Sequence, residues 1–442
     1  MSLKAYIISL GCAKNRVDTE EMLGSLEEKG YSFIDNPRQA TVILINTCAF
    51  IKEARRESLK IIKEMALLKR EGKKRQLLVV TGCLPQLFKE KLPQMIPDID
   101  VLLGVNDFHC IAKAIELSLS GKKIFKISGK IKEQQEVKKR VYTSRGYAYL
   151  KIAEGCNNKC SYCLIPKIRG PLTSKSENDV LQEAKTLARN GFKEIILIAQ
   201  DTAAYGIDKF GYPVLARLLE KIQKIKDIRW IRLLYLQPHN ITDDLIDTIA
   251  KYDKVCKYID MPLQHIDNLI LEKMKRKINE KSIYCLIRKL RQRIPGVILR
   301  TTLMVGFPGE TRSSFVKLAS FVLRGKFDRL GCFCYSSEKG TLASEYKRKV
   351  PKRVQERRKK VIMIIQRRIS KKKNKELIGQ KKEAIVEKRI DSNLYWGRTY
   401  ANAPEVDGGI YIVSDKPLKS GDFIQSVIVG ADPYNLIGEI TE

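Results

Sequence analysis

Short apolar runs alternate with amphipathic stretches along the first 120 residues of the chain. The apolar runs are rich in Ile, Val and Leu, have the length of buried strands, and cover residues 5–10, 41–45, 76–80 and 101–103. The stretches 18–29 and 53–68 carry apolar residues at helical spacing, and a further helix is expected from about Asp107. Because strands and helices alternate, the pattern predicts an α/β domain with a parallel sheet over residues 2–118.

A second alternating series follows a polar, basic stretch that we interpret as a linker over residues 119–141. Its strands are predicted at 148–152, 194–199, 230–234, 258–261, 297–305 and 329–335. Six β/α units are too few for a complete eight-fold barrel. The pattern therefore predicts an open, partial (β/α)6 barrel within residues 142–372, with its active site at the C-terminal ends of the strands.

The last hundred residues combine a basic helix with a small β-module. Residues 347–376 contain 15 Lys or Arg and two Glu, a net charge of +13, and their apolar residues have the spacing of a helix with a narrow apolar stripe. Five short strands then follow at 381–390, 393–400, 409–413, 422–429 and 437–440. They predict a small OB-like β-barrel over residues 375–441, a fold that often binds nucleic acid.

Charge and composition narrow the functional class. The chain has 442 residues, of which 44% are hydrophobic and 30% charged, as in folded rather than disordered proteins. Its net charge of +33 indicates a polyanionic partner such as RNA or a ribonucleoprotein, and the alternative is a lysine-rich bias spread over solvated surfaces. The clustering of charge in the basic helix favours the first reading.

The sequence also predicts a location. No apolar run reaches the roughly 20 residues of a membrane span, and the start of the chain lacks the pattern of a secretory signal, so we expect a cytoplasmic protein without membrane contact. In a reducing compartment the eleven cysteines are expected to act as metal ligands, catalytic thiols or buried apolar residues rather than disulfides.

Cys156, Cys160 and Cys163 form a C-x3-C-x2-C pattern directly after the first predicted strand of the partial barrel. Three thiolates on a short loop suit three irons of a 4Fe–4S cluster, which leaves the fourth iron open as a reaction site. A structural zinc would need a fourth ligand, and the next His or Cys is His239. Because the residues between the cysteines are polar, three core thiols are a weaker alternative, and the pattern favours the cluster.

Cys12, Cys48 and Cys83 lie about one β/α unit apart, each close to the C-terminal end of a predicted strand. These ends share one edge of a parallel sheet, so the three thiolates are expected to meet there and to hold a second cluster. The alternative is three buried thiols acting as small apolar residues. The remaining cysteines show no such pattern and are predicted to be buried structural thiols: Cys110, Cys256, Cys285, Cys332 and Cys334.

Further candidates for cofactor binding lie at or just beyond the barrel strands. Four polar residues just past strand ends are Gln200, Asp201, Gln264 and His265, although His265 could equally be a structural histidine. Arg300, within an apolar strand, is expected either to bind a ligand carboxylate in the barrel lumen or to form an ion pair elsewhere. Gly306 begins a turn that could approach a cofactor, and the alternative is a plain Gly-Pro turn that caps a helix.

The Cys156 loop, with the aromatic Tyr162 before its last cysteine, resembles that of the radical S-adenosylmethionine enzymes. The whole chain resembles the methylthiotransferases within them, with a TRAM-type barrel as the C-terminal module, and specifically the RimO-type subclass. The segments that carry this resemblance are SLGCAKN at 9–15, AEGC at 153–156, IPKIRG at 165–170, QDT at 200–202, RLLYL at 232–236, DMPLQH at 260–265 and GRTYANAPEVDG at 397–408.

The resemblance implies two 4Fe–4S clusters, S-adenosylmethionine, and an external electron donor. The cluster at Cys156, Cys160 and Cys163 would generate a radical, with Tyr162 among the cofactor contacts, and the radical would take a hydrogen from the β-carbon of an aspartate. The second cluster would supply a sulfur that is methylated and transferred. The implied substrate is the decoding-centre protein of the small ribosomal subunit, with ribosomal RNA contacting the basic surface.

Two other functions stay open at this stage. A methylthiotransferase that acts on a tRNA adenosine would share the chemistry. A basic RNA-binding protein whose cysteines hold structural metal would share the charge and the cysteine content.

Overall fold

The N-terminal part is a six-stranded parallel sheet with helices on both faces. The structure is a computed structural model and describes residues 3–72, 75–129 and 139–440. The strands are β1 (Leu3–Ser9), β2 (Tyr31–Phe33), β3 (Val42–Thr47), β4 (Leu77–Gly82), β5 (Val101–Leu103) and β6 (Ile124–Lys126), in the order β2-β1-β3-β4-β5-β6. The helices are α1 (Ala13–Glu27), α2 (Lys52–Glu71), α3 (Cys83–Phe88), α4 (Lys91–Met95) and α5 (Ile111–Leu119). The predicted parallel α/β fold is confirmed.

Two short edge strands and the start of α1 differ from expectation. β2 and β6 have three residues each, too few to show a period, and β6 lies within the predicted linker. Residues 130–138 of that linker, and the predicted domain ends at residues 2 and 441, lie outside the described residues. α1 begins at Ala13 rather than at Asp18, because its first turns bury polar side chains and lack an apolar stripe.

The central part is the expected open half-barrel. Its strands are β7 (Tyr147–Lys151), β8 (Ala153–Glu154), β9 (Thr173–Ser174), β10 (Glu194–Ile198), β11 (Trp230–Leu233), β12 (Tyr258–Gln264), β13 (Ile298–Val305) and β14 (Arg329–Cys334). The six longer ones form two parallel sheets, β11-β10-β7 and β12-β13-β14, and the amide of Leu236 donates to the carbonyl of Asp260 between them (2.8 Å). The helices are α6 (Ile165–Arg169), α7 (Glu177–Arg189), α8 (Ile207–Phe210), α9 (Leu215–Ile222), α10 (Asp243–Lys251), α11 (Asn268–Lys273), α12 (Glu280–Arg293) and α13 (Arg312–Gly325).

A long basic helix and a closed five-stranded barrel complete the chain, as predicted. The helix is α14 (Lys352–Lys375), which packs on β14 and α13 through a narrow stripe around Ile362. The strands are β15 (Lys381–Arg389), β16 (Leu394–Thr399), β17 (Ile410–Val413), β18 (Phe423–Ala431) and β19 (Leu436–Ile440), closed in the order β15-β16-β17-β19-β18. Among the residues that the structure describes, no helix combines the length and the apolar character of a membrane span.

The β-module is joined to the half-barrel by buried charges and by one loop. Glu194 of β10 is fully buried between Arg232 of β11 and Arg398 of β16. The loop 400–407 enters the half-barrel: Ala403 packs with Ile196 and other side chains of the inner face. The carboxylate of Asp407, at the end of this loop, accepts from the hydroxyl of Tyr258 (2.6 Å). The two parts therefore share one core.

Candidate functional site

Three cysteines converge at the C-terminal edge of the N-terminal sheet. Cys12 precedes α1 directly, Cys48 follows β3, and Cys83 is the first residue of α3. Pairing of Ser9 with Asn46 and of Thr47 with Gly82 aligns the ends of the three strands. The thiols of Cys12, Cys48 and Cys83 interact electrostatically with one another, so the fold brings all three together.

Asn15, on the first turn of α1, ties the three cysteine loops together. Its side-chain amide donates to the carbonyls of Leu10 and Thr47, both at 2.9 Å, and its oxygen lies 3.7 Å from Cys83 Sγ. Gly11 is required for this approach: its φ is +99°, and a Cβ there would lie 2.8 Å from the Cβ of Cys48. The loops are thus held in place by the first turn of α1.

The donor set of this site fits an iron–sulfur cluster. Burial raises the pKa of Cys48 and raises that of Cys83 to about 12, so these thiols ionise only beside a strong positive charge such as iron. Among the described residues, no three His, Cys, Asp or Glu side chains converge on one point as the ligands of a single ion do. Ligands of a cubane cluster bind different irons and need no common point.

The second set of cysteines lies on the loop between β8 and α6. The amide of Cys156 donates to the carbonyl of Gly170 (3.1 Å), which closes the loop at its base. Backbone and side-chain amides of Asn158 both donate to Cys156 Sγ at 3.4 Å, and the amide of Ile165 donates to Cys163 Sγ at 3.4 Å. Donors of this kind stabilise thiolate ligands, so this loop also fits a cluster.

Asp201 supports that loop from the neighbouring strand. Its buried carboxylate accepts from the side chains of Asn158 (2.9 Å) and Asn240 (2.8 Å) and from the amide of Gln237 (3.2 Å). Burial raises its pKa even though these donors favour the charged form. A cavity of about 80 Å³, whose lining includes Asp201, His239 and Cys156, adjoins the loop. Asp201 is placed to orient Asn158.

Gln200 and Tyr162 also lie beside the cysteine loop. The side chain of Gln200 donates to Glu154 (2.5 Å), whereas its buried Oε1 has no hydrogen-bond partner among the described residues. The ring of Tyr162 meets Phe307 edge to face, with centroids 6.4 Å apart. Burial raises the pKa of its hydroxyl. Tyr162 is therefore a neutral aromatic wall of the site.

Gln264 and His265 end β12 in different environments. Gln264 is half-buried and has a φ of +70°, a conformation that bends the strand end at the site. His265 is fully buried; its Nδ1 accepts from the amide of Asp267 (3.0 Å), and its Nε2 lacks a partner among the described residues. Burial lowers the pKa of His265 to about 4, so the ring is neutral at pH 7.

Two predicted cofactor contacts, Arg300 and Gly306, have protein partners in the structure. Arg300 does face the lumen, but it pairs with Asp260 (2.7 Å) and Asp407 (3.3 Å), so its charge is already compensated by protein carboxylates. Gly306 (φ +76°) belongs to a structural turn that the carboxylate of Glu310 closes by accepting from its amide. A Cβ on Gly306 would lie 2.3 Å from the Cγ of Gln355, so the glycine serves the packing of α14.

The prediction of five buried structural thiols is only partly correct. Cys256 and Cys332 are buried as expected. Cys285 is exposed because it lies on the outer face of α12, and Cys110 and Cys334 are half-buried at the end of a turn and of the edge strand β14.

Sequence reasoning gave no role to two buried arginines that approach the cysteines. Arg169, the last residue of α6, lies 3.7 Å from Cys83 Sγ, and Arg276 lies 3.7 Å from Cys160 Sγ. Arg169 stands in the segment 165–170 that carries the family resemblance, but neither charge nor spacing marks it as a neighbour of Cys83. Arg276 follows α11 in a run of basic residues and shows no separate signal.

Comparison with protein families divides the chain into three matches. The family described as "Uncharacterized protein family UPF0004" matches residues 4–104, the radical SAM superfamily matches residues 150–322, and the TRAM domain matches residues 378–441. Each match coincides largely with one of the three structural parts described above.

Full-length relatives are also found. A protein of Clostridium botulinum (strain Okra / Type B1) named "Ribosomal protein uS12 methylthiotransferase RimO" is 46% identical over 99% of this chain and 98% of its own length. Proteins of the same name from Thermoanaerobacter sp. (strain X514) and Clostridioides difficile (strain 630) are each 43% identical, over 98% and 99% of this chain and 99% of their own lengths. Among solved structures, the radical S-adenosylmethionine methyltransferase TsrM from Kitasatospora setae matches 75% of this chain and 73% of its own, with a TM-score of 0.54 at 14% identity, which shows a shared fold.

Proposed function

Because the chain belongs to the ribosomal protein uS12 methylthiotransferase (RimO) family of radical SAM enzymes, we propose that it places a methylthio group on the β-carbon of an aspartate in uS12. In this reaction a C–H bond of the aspartate side chain is replaced by a C–S bond. The observation that carries the proposal is the pair of cysteine triads, one at the ends of β1, β3 and β4 and one after β8, with Arg169 between Cys83 and the side chain of Glu154 on β8.

Each triad has its own proposed role. Radical SAM enzymes use a 4Fe–4S cluster and S-adenosylmethionine, and we assign that cluster to Cys156, Cys160 and Cys163. A second cluster is assigned to Cys12, Cys48 and Cys83. When bound, these groups would supply a hydrogen-abstracting radical and a transferable methylthio sulfur.

The residues around the triads would place and protect the reactants. Tyr162 and Gln264 are proposed as walls of the S-adenosylmethionine site, with the buried Oε1 of Gln200 as a hydrogen-bond acceptor for it. Asp201 would hold the cluster loop through Asn158. His265, neutral at pH 7 and fully buried, would support the end of β12 without carrying charge. These roles exclude water from the site, which radical chemistry requires.

The substrate assignment is tested by mass spectrometry of cells that lack the gene. We expect uS12 to lose the mass of its methylthio group and the methylthio-adenosine content of tRNA to stay unchanged. Complementation with the intact chain should restore the mass, and complementation with Cys48→Ala should not. An unchanged uS12 together with missing methylthio-adenosine would instead show the alternative function, modification of tRNA.

The division of labour between the triads is tested on the purified chain after anaerobic reconstitution. About eight irons per chain are expected for two cubane clusters. Cys48→Ala should still cleave S-adenosylmethionine reductively but deliver no sulfur, whereas Cys160→Ala should lose the cleavage. Equal loss of cleavage in both variants would contradict the assignment, and one or two zinc ions per chain would favour the RNA-binding alternative.

We further propose that α14 docks on ribosomal RNA beside uS12. Its exposed face carries nine Lys or Arg residues: Lys352, Arg353, Arg357, Lys360, Arg367, Arg368, Lys371, Lys372 and Lys375. Binding through such a face releases counterions and weakens steeply with salt. Lys360, Arg367 and Lys371 share one side of the helix, at positions i, i+7 and i+11.

The triple variant Lys360→Gln/Arg367→Gln/Lys371→Gln tests this docking. It should lower the salt slope of binding to small ribosomal subunits by about two units and leave S-adenosylmethionine cleavage intact. The matched control removes three exposed charges from one face of α2, at Arg56, Lys60 and Lys63. Equal effects of both triple variants would show a general charge effect rather than a docking surface.

The proposal also includes a cellular compartment and an electron donor. Ribosomes are assembled in the cytoplasm, so the enzyme is assigned to that compartment. An external one-electron donor is assigned to the Cys156, Cys160 and Cys163 cluster, because the radical is formed by reduction.

A further inference from the structure

One guanidinium group links the two regions that carry the cysteines. Arg169 is 2% exposed and donates through one nitrogen to Asp18 and Glu154, both at 2.9 Å. Its other terminal nitrogen donates to Asn15 Oδ1 (2.5 Å) and approaches Cys83 Sγ at 3.7 Å. Glu154 lies on β8, two residues before Cys156, so Arg169 approaches a ligand sulfur of one triad and binds a side chain on the strand that leads into the other.

The surrounding charges hold this guanidinium in a fixed orientation. Lys151 forms ion pairs with Asp18 and with Glu154 (3.2 Å), and all four charged side chains are buried. Two positive and two negative charges therefore balance in this network. The guanidinium group of Arg169 is planar, and the carboxylates of Asp18 and Glu154 hold one of its terminal nitrogens. The other terminal nitrogen therefore points toward Cys83 rather than toward solvent.

The other triad has a separate arginine of its own. Arg276 is 9% exposed and donates to the carbonyl of Pro262 (2.5 Å) on β12, while its other terminal nitrogen approaches Cys160 Sγ at 3.7 Å. Each triad is thus approached by one buried arginine at one cysteine. The two arginines belong to different elements and contact different sulfurs.

We propose that Arg169 is a positioning residue that raises the reduction potential of the cluster held by Cys12, Cys48 and Cys83, through its N–H group on Cys83 Sγ. Arg276 does the same for the other cluster through Cys160 Sγ. A hydrogen bond and a positive charge at a ligand sulfur stabilise the reduced, more negative cluster. This inference rests on the proposed function, because it requires both clusters.

The test is a redox titration of reconstituted holoenzyme followed by the electron paramagnetic resonance signal of each cluster. Signals are assigned in two parent proteins, one with Cys156, Cys160 and Cys163 replaced by Ala and one with Cys12, Cys48 and Cys83 replaced. Arg169→Lys keeps the charge beside Asp18 and Glu154 but loses the fork. In Arg169→Lys we expect the reduction potential of the cluster held by Cys12, Cys48 and Cys83 to fall by ~59 mV, a tenfold change for one electron. The potential of the cluster held by Cys156, Cys160 and Cys163 should be unchanged.

Arg276→Lys is the matched control. It should lower the reduction potential of the cluster held by Cys156, Cys160 and Cys163 and leave that of the other cluster unchanged. Because Arg169→Lys could disturb the loops, Arg169→Gln/Asp18→Asn, which removes one charge of each sign, should give the same selective shift. Equal shifts in both clusters, or none in either, would overturn the inference. Failure of the two-cluster assignment within the proposed function looks different: the unmodified chain would then hold only one cluster, with about four irons, whereas a change of substrate from uS12 to tRNA would leave both clusters and their potentials in place.

Discussion

The substitution Glu194→Gln tests how much the buried ion pairs between the half-barrel and the β-module contribute to stability. Glu194 is fully buried, and its two oxygens accept from Arg232 Nε (2.6 Å) and from a terminal nitrogen of Arg398 (2.5 Å). The substitution takes the carboxylate from the buried Arg232, leaves Arg398 with Glu387 as its carboxylate partner, and turns an amide donor toward one of the two guanidinium groups. Removing one partner from a buried ion pair costs about 3–5 kcal/mol, and we expect unfolding free energy to fall by that amount.

The two tryptophans of the chain give the assay. Trp230 lies at the junction of the half-barrel and the β-module, packed against Phe423 (4.7 Å between centroids), and Trp396 lies within the β-module. Urea unfolding followed by their fluorescence therefore reports on the junction. The matched control is Glu383→Gln, because Glu383 also joins the two parts, through Arg229, whose side chain is 57% exposed.

The two variants should differ in how far they shift the urea midpoint. An exposed pair contributes less than about 1 kcal/mol, so Glu383→Gln should barely shift the urea midpoint. Equal shifts for the two variants would refute the reasoning, because burial would then not set the cost. Replacement of Glu194, Arg232 and Arg398 together by Met should recover part of the loss, since both buried guanidinium groups are then removed along with the carboxylate between them.

The same carboxylate predicts a pH dependence. Burial alone would raise the pKa of Glu194, but Arg398 and Arg232 outweigh burial and hold it below the ordinary value of about 4.3. A lowered pKa stabilises the fold above about pH 4.3, and this contribution is lost as pH falls through the lower pKa of the folded state. The wild-type chain should lose this increment in acid, and Glu194→Gln should show a correspondingly flatter profile.

Three further predictions concern single sites. Asn15→Ala should lower the iron content of the reconstituted chain from about eight toward about four, because the three loops of one triad lose their common tie. Gly306→Ala should lower the melting temperature, because alanine at this positive φ is strained and its Cβ clashes with Gln355, which together cost about 1–3 kcal/mol of unfolding free energy. The double variant Gly306→Ala/Gln355→Ala should regain only the part of the stability that the clash removes. Cys285→Ser should leave methylthio transfer unchanged, while Cys285 should react with alkylating reagents before the buried thiols do.

Each of these three single-site predictions has an outcome that would contradict it. Full iron loading of Asn15→Ala would mean that the sheet edge alone places the cysteines. An unchanged melting temperature for Gly306→Ala would mean that α14 moves freely from the turn. Loss of activity on alkylation of Cys285 alone would assign that surface of α12 a function.

Strand positions were predictable because buried parallel strands read as continuous apolar runs. β3 and β4 have every residue buried, and their predicted and observed positions agree within two residues at each end. The same holds for both cysteine triads, whose place after strands follows from the order of elements. Periodicity thus located the site.

Contacts between distant segments were not predictable. α1 carries a buried polar face, including Asn15 and Asp18, whose partners include side chains and carbonyls on β3, β7 and α6. Single-segment periodicity contains no trace of those partners. For the same reason the sequence left Arg300 open between a ligand carboxylate and an ion pair: its second carboxylate, Asp407, comes from a loop more than a hundred residues away.

The loop 400–407 makes the β-module and the half-barrel one structural unit, which the three separate family matches do not suggest. A module linked only by a tether can be lost, exchanged or duplicated by recombination without harm to its neighbours. Here removal of the module would take Arg398 from Glu194 and Asp407 from Arg300. We therefore expect a TRAM domain grafted from another protein to join this half-barrel only if it brings partners for Glu194 and Arg300.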